Sequence, residues 1–106
     1  MIGIRYYRRA NGRHPFRDWL MDISDKRVRT AVLRRVDRLM EGNFGEHRFL
    51  RDGVWELKID VGPGYRVYYA QEGKTVILLL CAGSKRTQRQ DIDRAVEYWN
   101  DHQSHL

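Results

Sequence analysis

Val54–Ala70, VWELKIDVGPGYRVYYA, is the stretch that decides the fold. Trp55, Leu57, Ile59 and Val61 alternate with Glu56, Lys58 and Asp60, the period-two pattern of a strand with one buried face. Gly62-Pro63-Gly64 interrupts the pattern. Pro63 presets φ for one turn position, and Gly64 tolerates the positive φ that a type II turn needs at the next. Beyond the turn, Tyr65, Val67 and Tyr69 alternate with Arg66, Tyr68 and Ala70. The stretch is therefore a hairpin with one apolar face and a second face carrying Glu56, Lys58, Asp60, Arg66 and Tyr68. Apolar strand faces turn to a core, which leaves the polar set for water or a ligand.

Further strands flank this hairpin. His47–Arg51 precedes it as a short edge strand, joined through Asp52-Gly53. Glu72-Gly73-Lys74 forms the next turn, and the apolar run Thr75–Ala82 has strand length and the character of a strand buried on both faces. Near the N-terminus, Ile2, Ile4 and Tyr6 alternate within Ile2–Arg9 as a first strand, which Asn11-Gly12 ends. Phe16, Trp19, Leu20 and Ile23 then follow i, i+3, i+4, i+7 after Pro15, so a short helix starts there. Ser24 or Asp25 caps a second helix, whose stripe is Val28, Ala31, Val32, Val36, Leu39 and Met40. Lys26, Arg27, Arg29, Arg34, Arg35 and Arg38 cover its remaining surface, and Gly42-Asn43 stops it. After a loop over Gly83–Arg86, Thr87 and Gln90 have capping-box spacing. Ile92, Ala95, Val96 and Trp99 mark the apolar face of a last helix, and DHQSHL is expected to fray as a polar tail.

The order β-α-α-β-β-β-β-α, with short turns between consecutive strands, predicts one α+β domain over residues 1–106. An N-terminal helical hairpin packs on one face of a twisted antiparallel sheet of four to five strands, and a C-terminal helix follows. The opposite sheet face, with Lys58 and Arg66, is expected to stay partly open as a basic groove. The chain has 20 Lys and Arg against 14 Asp and Glu, a formal charge of +6, which favours an anionic partner such as nucleic acid. Cys81 is the single cysteine, so an internal disulfide and a cysteine-cluster metal site are excluded and a reducing compartment is expected. His14, His47, His102 and His105 are scattered, and no metal or cofactor is expected. No run approaches the roughly 18–20 apolar residues of a membrane span, and the first residues lack the apolar core of a secretory signal, so a cytoplasmic protein is expected.

Several segments resemble one family of bacterial toxins: Trp19-Leu20, Gly42-Asn43-Phe44-Gly45, Asp52-Gly53-Val54-Trp55-Glu56-Leu57, Gly62-Pro63-Gly64-Tyr65-Arg66-Val67-Tyr68, and Lys85-x-Thr87-Gln88 leading to Asp91-Ile92. Together they span nearly the whole chain, which is similar to the RelE/ParE superfamily and to its HigB-like branch of addiction-module killer proteins. The resemblance implies a helical hairpin on a twisted antiparallel sheet, and the toxin of a type II toxin–antitoxin pair. It further implies a ribosome-dependent endoribonuclease (an mRNA interferase), neutralised by a HigA-like antitoxin encoded alongside.

Cleavage by this route uses the RNA 2′-hydroxyl as nucleophile and needs cations on the charged phosphorane, a base and an acid. The resemblance places Arg66, Lys58 and Lys85 as the catalytic cations. Arg86, Tyr68 and Glu56 belong to the RNA-binding surface, and Arg34 and Arg38 lie on a basic helix suited to ribosomal RNA. Relatives commonly carry a tyrosine or histidine just beyond the Lys85 loop. Here Arg89, Gln90, Asp91 and Ile92 stand there, and Tyr68, Glu56 and Asp91 are the candidate replacements. Lys58 and Arg66 also suit cross-strand ion pairs with Glu56 or Asp60. Two other activities fit the chain: a ParE-like inhibitor of DNA gyrase that cuts no RNA, and a nucleic-acid-binding module without catalysis.

Overall fold

The computed structural model describes residues 2–106. In chain order the elements are β1 (Gly3–Tyr6), α1 (Pro15–Asp22), α2 (Lys26–Met40), β2 (His47–Arg51), β3 (Val54–Ile59), β4 (Tyr65–Glu72), β5 (Val76–Ser84), a 3₁₀ turn (Lys85–Thr87) and α3 (Gln88–Ser104). The strands form one sheet in the order β1-β5-β4-β3-β2. From β2 to β5 every pairing is antiparallel, as the short turns require. β1 instead runs parallel to β5, from Gly3 opposite Val76 to Tyr6 opposite Leu79. The sheet is therefore mixed, where an all-antiparallel one was expected. Two helices separate β1 from β2, so no turn dictates the direction of β1.

The hairpin α1–α2 buries Phe16, Leu20, Val28, Val32, Val36 and Leu39 against Leu57, Ile59, Val67, Tyr69, Ile77 and Leu79. These sheet residues are the alternating apolar set, and β5 is buried on both faces as its composition predicts. The second face is less open than expected. α3 lies on it, packing Ala95 and Trp99 against Tyr7, Val54, Tyr68, Ala70, Leu78 and Leu80. Its apolar stripe needs an apolar partner, and β4–β5 supply one. The end of that face bearing Glu56, Lys58 and Arg66 lies beyond this apolar packing.

Local chemistry sets the boundaries. Asp25 caps α2 by accepting from the Arg27 N–H at 2.9 Å. At the other end Gly42 has φ +84°, its N–H donates to Leu39 O and that of Asn43 to Arg38 O, the bond pair of a Schellman stop. In the β3–β4 turn the Gly64 N–H donates to Val61 O at 3.0 Å, so Gly62 (φ +55°) is a central residue of the turn, and Gly64 (φ +88°) follows it. This corrects the type II assignment. The expected frayed tail is also corrected, because α3 continues to Ser104. Tyr7 Oη donates to Asp101 Oδ2 at 2.5 Å, and His102 Nε2 pairs with Glu72 Oε2, which ties the last turns to the sheet.

Arg35 departs from its place on the basic helix surface. Its guanidinium turns inward and donates to Lys58 O at 2.6 Å, Phe44 O at 3.1 Å and Glu46 O at 3.5 Å. It thereby pins α2 to the end of β3 and to the loop entering β2. Hydrogen bonds from charged donors contribute about 1.5–3 kcal/mol. Arg35→Ala is expected to destabilise the fold by about that amount, seen as a lower urea midpoint at unchanged slope. Arg34→Ala and Arg38→Ala, at exposed positions of the same helix, should leave the midpoint in place. An unshifted Arg35→Ala midpoint contradicts the clamp.

Candidate nucleic-acid interface

Strand register assembles the site. Lys58 stands opposite Arg66 and Glu56 opposite Tyr68 across β3–β4, Arg48 stands opposite Glu56 across β2–β3, and Arg66 opposite Gly83 across β4–β5. Directly paired residues share a sheet face, so Arg48, Glu56, Lys58 and Arg66 form one polar patch. At its centre the Glu56 side chain is 4% exposed. Its carboxylate accepts from Arg48 Nε at 2.8 Å and Gln88 Nε2 at 2.7 Å, and lies 3.1 Å from Arg66 Nε. A carboxylate this buried persists because two guanidinium charges and an amide replace its lost water. Nε is the Arg66 atom nearest that carboxylate, and among the described residues Nη1 of the nearly buried Arg66 donates to Tyr65 O at 3.4 Å.

Lys58 Nζ lies 3.4 Å from Glu46 and 3.9 Å from Asp60. Lys85 enters the site because its N–H donates to Gly64 O at 3.3 Å, joining the 3₁₀ turn to the β3–β4 turn. Lys58, Arg66 and Lys85 consequently line one groove of about 350 Å³, floored by Gly62-Pro63-Gly64. A second lobe of about 270 Å³, lined by Glu46, Arg48, Glu56, Lys58 and Arg66 among others, adjoins it through the two shared cations. The expected cross-strand ion pair forms between Arg66 and Glu56, whereas Lys58 pairs with Asp60 along its own segment, and both cations still line the groove.

Residues 18–99 match the family described as Phage derived protein Gp49-like (DUF891). The chain belongs to the Gp49-like family. A Haemophilus influenzae protein described as uncharacterized is 41% identical over 80 residues, which cover 76% of this chain and 81% of that protein. Gp49-like proteins are toxin-like, and the three helices and five-stranded sheet are compatible with the RelE-like fold. All the groove residues named above lie within the Gp49-like match. Among the described residues no helix is long and apolar enough to cross a membrane.

Other expected site residues of this Gp49-like chain lie elsewhere. Arg86 is exposed on the 3₁₀ turn and lines neither lobe. Arg34 and Arg38 are exposed on α2, across the sheet from the groove. Tyr68 shares the face of Arg66 but is fully buried beneath α3, so stacking its ring on a base is ruled out. Its hydroxyl has no hydrogen-bond partner among the described residues, and burial first, then Glu56 and Asp91, push its pKa upward. Arg48 and Gln88 are the contributors that sequence reasoning missed. A regular hairpin around Asp52-Gly53 sets Phe49 opposite Glu56. A register shift between Phe49 and Arg51 brings Arg48 there instead.

Asp91 is also buried. Its Oδ2 accepts from Thr87 Oγ1 at 2.6 Å and sits over Gly83, where an added Cβ would lie 1.9 Å away. The Thr87 hydroxyl is thus committed to Asp91, and the expected capping box is not formed. Burial raises the Asp91 pKa, while the Thr87 bond and Arg94 oppose the shift. A carboxyl whose folded pKa is raised contributes stability fully present below its unfolded pKa and lost as pH rises through the folded value. Urea unfolding of wild type and Asp91→Asn from about pH 4 to 7 should show wild type losing stability relative to the variant as pH rises. A pH-independent difference contradicts this placement. Gly83→Ala should destabilise by at least about 1–3 kcal/mol, the cost of overpacking.

Proposed function

We propose that this protein is the toxin of a type II toxin–antitoxin pair and acts as a ribosome-dependent endoribonuclease that cuts mRNA and stops translation. The observation that carries the reading is the convergence of Lys58, Arg66 and Lys85 on one groove. In the proposed reaction the 2′-hydroxyl oxygen attacks the adjacent phosphorus and the bond from phosphorus to the 5′-oxygen breaks. The products are a 2′,3′-cyclic phosphate and a free 5′-hydroxyl. Negative charge builds on the phosphoryl oxygens, and Arg66, already oriented by Glu56, meets it without reorganisation. Lys58 and Lys85 share that charge. Solvent takes the 2′ proton and returns one to the leaving oxygen, since Glu56 is occupied by two hydrogen-bond donors and the Arg66 charge, and Tyr68 is buried.

The resemblance to HigB-like toxins supports a HigA-like antitoxin as partner and a cytoplasmic site of action. Arg34, Arg38 and Arg86, exposed away from the groove, suit contacts with ribosomal RNA phosphates. A second reading, ParE-like inhibition of gyrase without RNA cleavage, is favoured by one observation: neither Glu56 nor Tyr68 offers the groove a free acid or base.

Expression of wild type and Arg66→Ala in a bacterial host without antitoxin, with mapping of mRNA 5′ ends, tests the assignment. Wild type should arrest growth and create new 5′-hydroxyl ends within translated messages. Arg66→Ala should lower cleavage about 100-fold or more, the scale of removing one preorganised charge-stabilising donor. Arrest without new ends, accompanied by loss of gyrase supercoiling, contradicts the nuclease and supports the second reading.

A further inference from the structure

We infer that Arg48 binds the phosphate next to the one held by Arg66, so that the site takes two consecutive phosphates of single-stranded RNA. The inference rests on the RNA-directed reading above and extends its substrate beyond the scissile group.

Glu56 is flanked by two arginines and engages both at Nε, Arg48 at 2.8 Å and Arg66 at 3.1 Å. The Nε contact orients a guanidinium while leaving its Nη end to another acceptor. Among the described residues Arg48 makes no other side-chain hydrogen bond. Its side chain is 65% exposed and therefore within reach of a ligand. Both arginines line the second lobe together with Lys58. The carboxylates there do not cancel this charge: Glu56 is shared between two arginines, Glu46 pairs with Lys58, and three cations face two carboxylates. A planar fork fixed at one edge suits a tetrahedral phosphate better than a neutral base edge.

The spacing is also appropriate. β2 and β4 flank β3, so the backbones of Arg48 and Arg66 stand about 10 Å apart, and their side chains converge on the carboxylate between them. Because Lys58 and Arg66 line both lobes, a strand can pass from Lys85 across Arg66 to Arg48 without leaving the cationic surface. Register alone puts Arg48 into this row. Without the shift in β2 the apolar Phe49 would stand opposite Glu56.

Fluorescence anisotropy with a 2′-O-methyl hexaribonucleotide, which lacks the nucleophile and stays intact, tests the inference. Binding is measured between about 50 and 200 mM salt for wild type, Arg48→Ala, Arg48→Lys and Arg66→Ala, with folding checked by far-UV circular dichroism. Arg48→Ala should bind about tenfold more weakly. Its slope of log K against log salt should be shallower by about 0.7, the value for one lost phosphate on a single strand. Arg48→Lys should keep the wild-type slope, because it restores the charge. Arg48→Ala binding with wild-type affinity and slope, while Arg66→Ala loses binding, overturns the second phosphate and leaves the nuclease reading intact. Arg48→Lys matching Arg48→Ala also overturns it, since Arg48 would then act only by supporting Glu56. Failure of wild type to bind the hexamer overturns the two-phosphate site, while the ribosome-dependent nuclease reading stands or falls by the 5′-end mapping.

Discussion

The carboxylate of Glu56 holds three elements at one point, accepting from Arg48 of β2 and Gln88 at the start of α3 and forming an ion pair with Arg66 of β4. A charge buried to this extent is tolerated only while its partners stay in place, and removing one partner of such a group typically costs about 3–5 kcal/mol. The constraint works in both directions. The arginines neutralise the carboxylate, and the carboxylate fixes the orientation of the arginines. Gln88 adds the first turn of α3 to the arrangement, and the Lys85 turn precedes it directly. The positions of Arg66 and Lys85 are thus set by one network spanning the sheet and α3.

The two faces of the sheet have different tasks. The face under α1 and α2 is continuous apolar packing, clamped at its margin by Arg35 on three carbonyls. The other face is divided. α3 covers the β4–β5 half through Trp99 and Ala95, while the end near the Gly62-Pro63-Gly64 turn remains polar and cationic. Asp91 over Gly83 marks the boundary between them, with a carboxyl taken out of water just beside the groove. In the proposed reaction, the charged margin of this partly covered face presents its cations to phosphate.

Much of this was legible in the sequence, for identifiable reasons. Strict alternation in Val54–Ala70 put Glu56, Lys58 and Arg66 on one face, and the turn residues fixed the hairpin, so the cluster followed from period and register. The direction of β1 was not legible, since no turn connects it to a neighbour in the sheet. Arg48 was hidden by a register shift that no residue type in His47–Arg51 announces. Tyr68 was placed on the correct face, but its burial depends on where α3 lies, and that is a tertiary matter. Arg35 looked like any other arginine of α2 until three loop carbonyls were brought to it. The tail appeared free because its anchors, Tyr7 and Glu72, are distant in sequence.

The most direct measurement compares wild type with Glu56→Gln in a purified translation system programmed with a defined message, recording the rate of appearance of 5′-hydroxyl ends. The substitution keeps the shape of the side chain and removes the charge that orients Arg66. Wild type should cut the message, and Glu56→Gln, verified as folded by circular dichroism, should cut it at least about 100-fold more slowly, comparable to loss of the Arg66 donor itself. A Glu56→Gln protein that cuts at the wild-type rate, or a wild-type protein that leaves the message intact on ribosomes, contradicts the claim that a Glu56-oriented arginine acts on RNA phosphate.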